Sequence, residues 1–239
     1  MGRAVQGDLG ESFKTGGPVL EELTTRFPAT LELALGGLIV GVGLALPLGI
    51  LAAIKRGALV DHLSRLLALV GASLPGFWLA FLLIILFAVK LHWLPVMGRG
   101  TLRHLILPAL ALGFGTAAPL MRLTRSSLLE VLGEDYVRTA QAKGLSQQVV
   151  VLRHALRNAL IPVVTVAALR FGFLLGGAVV VEVIFAWPGV GKFMVDGIFA
   201  RDYPLIQGYV VFMGTIFLLI NLAVDILYVA IDPRIQVAD

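Results

Sequence analysis

Long runs without charge alternate with short polar stretches along this chain. Five apolar segments reach the roughly 20 residues that a helix needs to cross a bilayer, at about 30–54, 66–89, 104–123, 159–181 and 208–231. All are continuous and rich in Leu, Ala, Val and Gly, which predicts helices. Barrel strands would instead alternate over about ten residues. Pro47, Pro75, Pro108, Pro119 and Pro162 fall within or at the ends of these segments. Proline is tolerated there because neighbouring helices can satisfy the freed backbone groups. The expected fold is therefore all-α, a polytopic membrane bundle with five transmembrane helices.

Composition agrees with the pattern. The chain has 14% charged and 58% hydrophobic residues and a mean hydropathy of +0.93, whereas soluble domains carry about 25% charged residues. The net charge of +4 resides mostly in the loops. That placement suits anionic lipid better than nucleic acid, and no nucleic-acid-binding motif is present. There are no cysteines, which excludes disulfides and thiolate metal sites. The four histidines are scattered singly, and no metal site is expected. Loop cations divide ten to eight between the two faces. The six in the 122–158 loop (Arg122, Arg125, Arg138, Lys143, Arg153, Arg157) decide the orientation by the positive-inside rule. This loop is then cytoplasmic, the N-terminus outside and the C-terminus inside. The chain divides into an extracytoplasmic segment 1–29 and a membrane domain 30–239. The domain carries a cytoplasmic loop at about 124–158 and an extracytoplasmic one at about 182–207. Residues 1–27 contain no apolar stretch that could act as a signal or first span. An outside N-terminus therefore predicts a further helix upstream, the alternative being the opposite orientation.

The 134–150 stretch reads as two short helices. Glu134 and Asp135 open the first and Lys143-Gly144 close it, which complements the helix dipole and supplies a glycine past the C-terminus. Ser146 is placed to cap the second, which runs from Val149 to Ala159 into the next span. Tyr136, Ala140 and Lys143 share a face. The small residues Thr139, Ala140 and Ala142 would allow another protein to approach closely. On the residues alone, a docking surface and an ordinary solvated loop are both open.

The run Tyr136-Val-Arg-Thr-Ala-Gln-Ala-Lys-Gly-Leu145, with Arg153-His-Ala-Leu-Arg-Asn-Ala-Leu-Ile-Pro162, resembles the permease subunits of binding-protein-dependent ABC importers. The likeness is strongest to the dipeptide/oligopeptide/nickel group. It extends over nearly the whole chain: Gly7-Asp-Leu-Gly10, Arg26-Phe-Pro-Ala-Thr30, Leu74-Pro-Gly-Phe-Trp78, Leu94-Pro-Val-Met-Gly98, Arg122-Leu-Thr-Arg-Ser-Ser127, Phe185-Ala-Trp-Pro-Gly189, Arg201-Asp-Tyr-Pro204 and Ile231-Asp-Pro-Arg234. Arg138 stands where the broad signature has glutamate, and Arg157 where it has proline; the peptide-permease branch is similar to this sequence at both. The resemblance implies a type I importer transmembrane domain, usually with six spans, in a prokaryotic cytoplasmic (inner) membrane. It implies a second homologous permease, two ATPase subunits that use ATP and Mg, and an extracytoplasmic substrate-binding protein. No cofactor is then bound by this chain. The loop becomes the segment seated in a groove of the ATPase, through Tyr136, Arg138, Thr139, Ala140, Ala142, Lys143, Gly144 and Leu145. The 182–207 segment would receive the binding protein, through Trp187, Pro188, Gly189 and Asp202.

Arg170 sits near the middle of a span, where a charge is costly and marks a functional or paired group. It is expected either to line the translocation pathway or to pair with Asp225 or Glu182. Asn221 and Asp225, one turn apart, suit helix–helix hydrogen bonding, and Gly37 and Gly41 form a small-xxx-small packing pair. Pro188-Gly-Val-Gly-Lys192 superficially resembles a phosphate loop, but Phe193 follows the lysine and the first glycine of the pattern is missing. No nucleophile motif or metalloprotease motif occurs, so enzymatic activity is not expected of this chain. A secondary transporter or channel would predict inverted repeats and titratable relays; no convincing repeat is visible. Short peptides are the favoured solute, with nickel, glutathione or another small solute as the alternative.

Overall fold

The computed structural model describes residues 8–231, with side chains to residue 226. The described residues form helices α1 (Val19–Ile54), α2 (Leu59–Ser73), α3 (Gly76–Lys90), α4 (Leu102–Leu132), α5 (Asp135–Ala142), α6 (Gln147–Ile184), α7 (Val190–Ala200) and α8 (Tyr203–Ile231). Four are long and apolar enough to span a membrane, and the bent pair α2–α3 brings the number to five. The all-α bundle expected from the pattern is thus what forms. The Ile231-Asp-Pro-Arg234 motif lies partly outside the described residues.

Two expectations need correction. The first helix does not begin near residue 30. It starts at Val19, directly after Pro18, with Glu21 and Glu22 in its first turn. Polar residues there mask a helix in hydropathy, but glutamates suit a helix N-terminus. At about 54 Å, α1 overreaches the hydrocarbon core. Its polar first turns therefore project past the core. The second correction concerns 66–89. The chain is helical from Leu59, and between Ser73 and Gly76 it bends by 105°. Leu74 precedes Pro75 and is extended, at φ −83° and ψ 126°, because the proline ring disfavours the helical region for its predecessor.

The core is the seam between α1 and α4. A side chain at Gly37 would meet Leu112, one at Gly41 would meet Gly113 O and Thr116, and one at Gly49 would meet Thr124. Gly113 in turn lies against Gly37 O and Val40. These glycines let the two backbones touch, the small-residue packing that replaces the hydrophobic effect between helices in lipid. Buried clusters close the two ends. At one end Val19, Leu23, Val190, Phe193 and Leu205 join α1, α7 and the start of α8. At the other, Ala53, Leu128, Val137, Ala140, Val150, Val151 and Ala155 join α1, α4, α5 and α6. Helices α5 and α7 therefore mark opposite ends of the bundle, and α6 runs between them.

Candidate functional site: two capped ends and a charge between them

At the α5 end, the first short helix forms as the charges predict. Glu134 is its N-cap, and Gly144 closes it at φ +79°, donating its N–H to Gln141 O at 2.9 Å. A residue with a side chain is strained at that φ, whereas glycine is not. Val137 and Ala140 are buried against α4 and α6. This corrects the expectation for Ala140: its small size serves contact within the chain and is not open to a partner. Tyr136 Oη accepts a hydrogen bond from Asn158 Nδ2 at 2.9 Å, which ties α5 to α6. Arg138, Thr139, Ala142, Lys143, Gly144 and Leu145 remain exposed, as one continuous ridge. Ser146 occupies the N-cap position of α6, but its side chain makes no capping bond. Its carbonyl accepts from Val150 N–H at 3.0 Å. Residues Val150–Ala155 form widened π-type turns before α6 continues regularly.

Between α2 and α4 lies a cluster that the sequence pattern did not foretell. The Asp61 carboxylate is buried and held by Arg125 through Nε at 2.7 Å and a terminal nitrogen at 2.9 Å. Gly57 N–H adds a bond at 3.0 Å and Arg65 an ion pair at 3.4 Å. The pair pins the start of α2 to α4. The available signal was an aspartate opening an apolar helix with Arg65 one turn later.

At the α7 end, Glu182 is fully buried. Its Oε1 accepts from Thr30 Oγ1 at 2.6 Å and its Oε2 from Lys192 N–H at 2.8 Å. Thr30 Oγ1 also accepts from Val190 N–H at 3.0 Å. A carboxylate from α6 thus caps α7, at the end where the dipole favours an anion. Gly189 and Gly191 are required here, since a side chain at either would overlap the carboxylate. These are the amides of the superficial phosphate-loop motif, and a protein anion already occupies them. Trp187 is buried and donates its Nε1–H to Ala29 O at 2.7 Å.

The N-terminal segment is fastened alongside. Ser12 Oγ donates to Asp202 Oδ2 at 2.5 Å, Lys14 N–H to the same oxygen at 3.2 Å, and Leu205 N–H to Oδ1 at 3.2 Å. Burial alone would push the Asp202 carboxyl up. The hydrogen bonds from Ser12 and from the Lys14, Phe13 and Leu205 backbones outweigh it and hold the group below the usual aspartate range.

The four residues expected to meet a binding protein therefore divide. Trp187, Gly189 and Asp202 are interior anchors, withdrawn from the surface because each fills or satisfies a buried group. Pro188 alone of the four is exposed. It stands among three adjoining depressions rimmed by Lys14, Glu22, Arg26, Glu32, Arg99 and Lys192.

Glu182 does not pair with Arg170. Twelve residues of helix separate them by about 18 Å, and the Glu182 oxygens are already satisfied. Arg170 is exposed on α6 and makes no ion pair among the described residues. Asn221 donates to Phe217 O of its own helix at 2.9 Å instead of crossing to a neighbour, because a carbonyl one turn back lies within reach of its amide. Asp225 is exposed.

Residues 45–237 match the family described as "Binding-protein-dependent transport system inner membrane component". The glutathione transport system permease protein GsiC of Escherichia coli strain K12 is 49% identical over 236 residues, covering 99% of this chain and 77% of that protein. Its counterpart from Salmonella paratyphi A is 50% identical over 232 residues, covering 97% and 76%. Among solved structures, an inward-facing conformation of the MetNI methionine ABC transporter superposes with a TM-score of 0.72. It is 20% identical and covers 88% of this chain and 96% of that one. An amino acid ABC transporter with histidines gives 0.63 at 14% identity, covering 90% and 94%. At those identities the structures speak for the fold.

Proposed function

The chain belongs to the family of binding-protein-dependent transport system inner membrane components, and from that premise we propose that it forms the solute pathway of an importer for short peptides and couples that pathway to ATP hydrolysis by partner subunits. The reading places it in a prokaryotic inner membrane beside a second homologous permease, two ATPase subunits using ATP and Mg, and an extracytoplasmic binding protein. Glutathione, which the relatives' names give as their solute, is itself a short peptide, and it joins dipeptides as the leading class. Nickel is the alternative.

The observation that carries the reading is the seating of α5. Its inward face is locked by Val137, Ala140 and the Tyr136–Asn158 bond, and its outward ridge is solvated. Force applied to the ridge passes into α6, which reaches the α7 end without leaving the helix. Closure of the ATPases would then bias the bundle between two arrangements, an effect limited to the difference in binding between the two states.

Ala142→Trp tests this, since Ala142 is exposed and its enlargement leaves the buried face of α5 untouched. In proteoliposomes holding the whole complex, ATPase stimulation by binding protein loaded with glutathione or a dipeptide should fall toward the unstimulated level while the subunits stay inserted. Normal stimulation in that variant would count against coupling through α5. Stimulation of the unaltered complex by nickel-loaded binding protein alone would overturn the peptide assignment.

A further inference from the structure

Among the described residues Arg170 has no counter-charge, at the depth where a lone cation is most expensive. It lies at the middle of the predicted span 159–181, about 21 Å along α6 from Ile184. Above it Leu174 and Leu175 pack against Ala34, and below it Val163 packs with Ala118 and Met121. The arginine itself points out of the bundle. Bare lipid is an unfavourable neighbour for a guanidinium, so this stripe of α6 faces water or an anion.

The same stripe leads into an apolar cavity. Phe173 and Gly177 follow Arg170 at i+3 and i+7, one and two turns along the same face. With Gly172, Gly176, Tyr209 and Gly214 they line a cavity of about 520 Å³ between α6 and α8. Gly176, Gly177 and Gly214 have open space where a side chain would stand. The backbones are therefore bare on both walls, with room for an elongated guest.

We propose that Arg170 and this glycine-walled groove form a transit subsite for a carboxylate-bearing solute. The guanidinium takes the carboxylate by a charge-assisted contact. The apolar groove takes the remainder of the molecule and binds it only weakly, so that it can leave. The inference rests on the permease reading above and adds the charge class of the solute and the residue that meets it.

The absence of cysteine from this chain makes a direct test available. Arg170→Cys is assembled with cysteine-free partner subunits and binding protein carrying a free-carboxylate dipeptide, then reconstituted in proteoliposomes. Transport should be largely lost while ATPase stimulation persists. A thiosulfonate reagent that attaches an ammonium group should restore most of the transport, and one that attaches a sulfonate should not. Excess dipeptide should slow both labelling reactions. Arg170→Lys should transport at close to the original rate.

Normal transport by Arg170→Cys would overturn the proposal. So would loss that both reagents leave unrelieved, or labelling that occurs in the isolated chain but not in the assembled complex. That last outcome, or failure of both Arg170→Cys and Arg170→Gln to assemble, would assign the arginine to a carboxylate of the second permease. If the unaltered complex neither hydrolyses ATP nor transports, the permease reading itself fails.

Discussion

Single residues decide how the α7 end is held. Thr30 is both donor and acceptor in the Glu182 clamp, and its hydroxyl bridges α1 to α6 and α7. Thr30→Val keeps the shape and removes both bonds. It leaves a buried carboxylate oxygen and the Val190 N–H unsatisfied, a loss of about 3 kcal/mol. Thr30→Ser should retain most of the stability. Thermal unfolding of the two variants in one detergent checks this, and equal midpoints would refute the assignment. Nothing in the sequence singled out Thr30 or Ser12, since a hydroxyl becomes a clamp only when a distant carboxylate is folded onto it. Glu182 was visible only as an acid near the outer surface that could pair with Arg170, whereas Thr30 and the Lys192 amide meet it. Arg170, twelve positions away on the same helix, seemed available until helical rise is counted.

Elements behave differently, because their signals are local. The capped ends of α5 and the glycine at Gly144 were legible from charge and spacing alone. The break between α2 and α3 was half legible: Pro75 was visible, but hydropathy averaged across it and suggested one straight helix. What pins the first half to α4 was hidden, since Asp61 and Arg125 lie far apart in sequence. Removing Arg125 leaves the Asp61 carboxylate short of two hydrogen bonds in a buried site. Arg125→Ala should lower the unfolding midpoint more than the double variant Asp61→Ala/Arg125→Ala does relative to Asp61→Ala. A double-mutant cycle reports that coupling, and additive losses would mean that the pair contributes nothing beyond its separate parts.

For the whole molecule, α5 and α7 lie at opposite ends of the bundle, and the positive-inside rule assigns α5 to the cytoplasm. Single cysteines in this otherwise cysteine-free chain check the assignment. At Thr15 a membrane-impermeant thiol reagent should react in intact right-side-out vesicles. At Gln148 it should react only after the membrane is breached. The reverse pattern would invert the orientation and remove α5 from the ATPase side.

The apolar runs by themselves determined a membrane-spanning helical bundle, because the cost of unpaired backbone in lipid leaves long uncharged segments few other folds. The helix-end chemistry of the 134–144 stretch likewise depends on neighbours within one or two turns. Tertiary structure alone decided which face of α5 is buried, which hydroxyl meets Glu182, and that Trp187 and Asp202 are anchors instead of contact surface. Those outcomes depend on residues up to 190 positions apart, as in the Ser12–Asp202 bond. Hydropathy and spacing describe a residue's own surroundings along the chain; the partner of a buried polar group is chosen only when the helices pack.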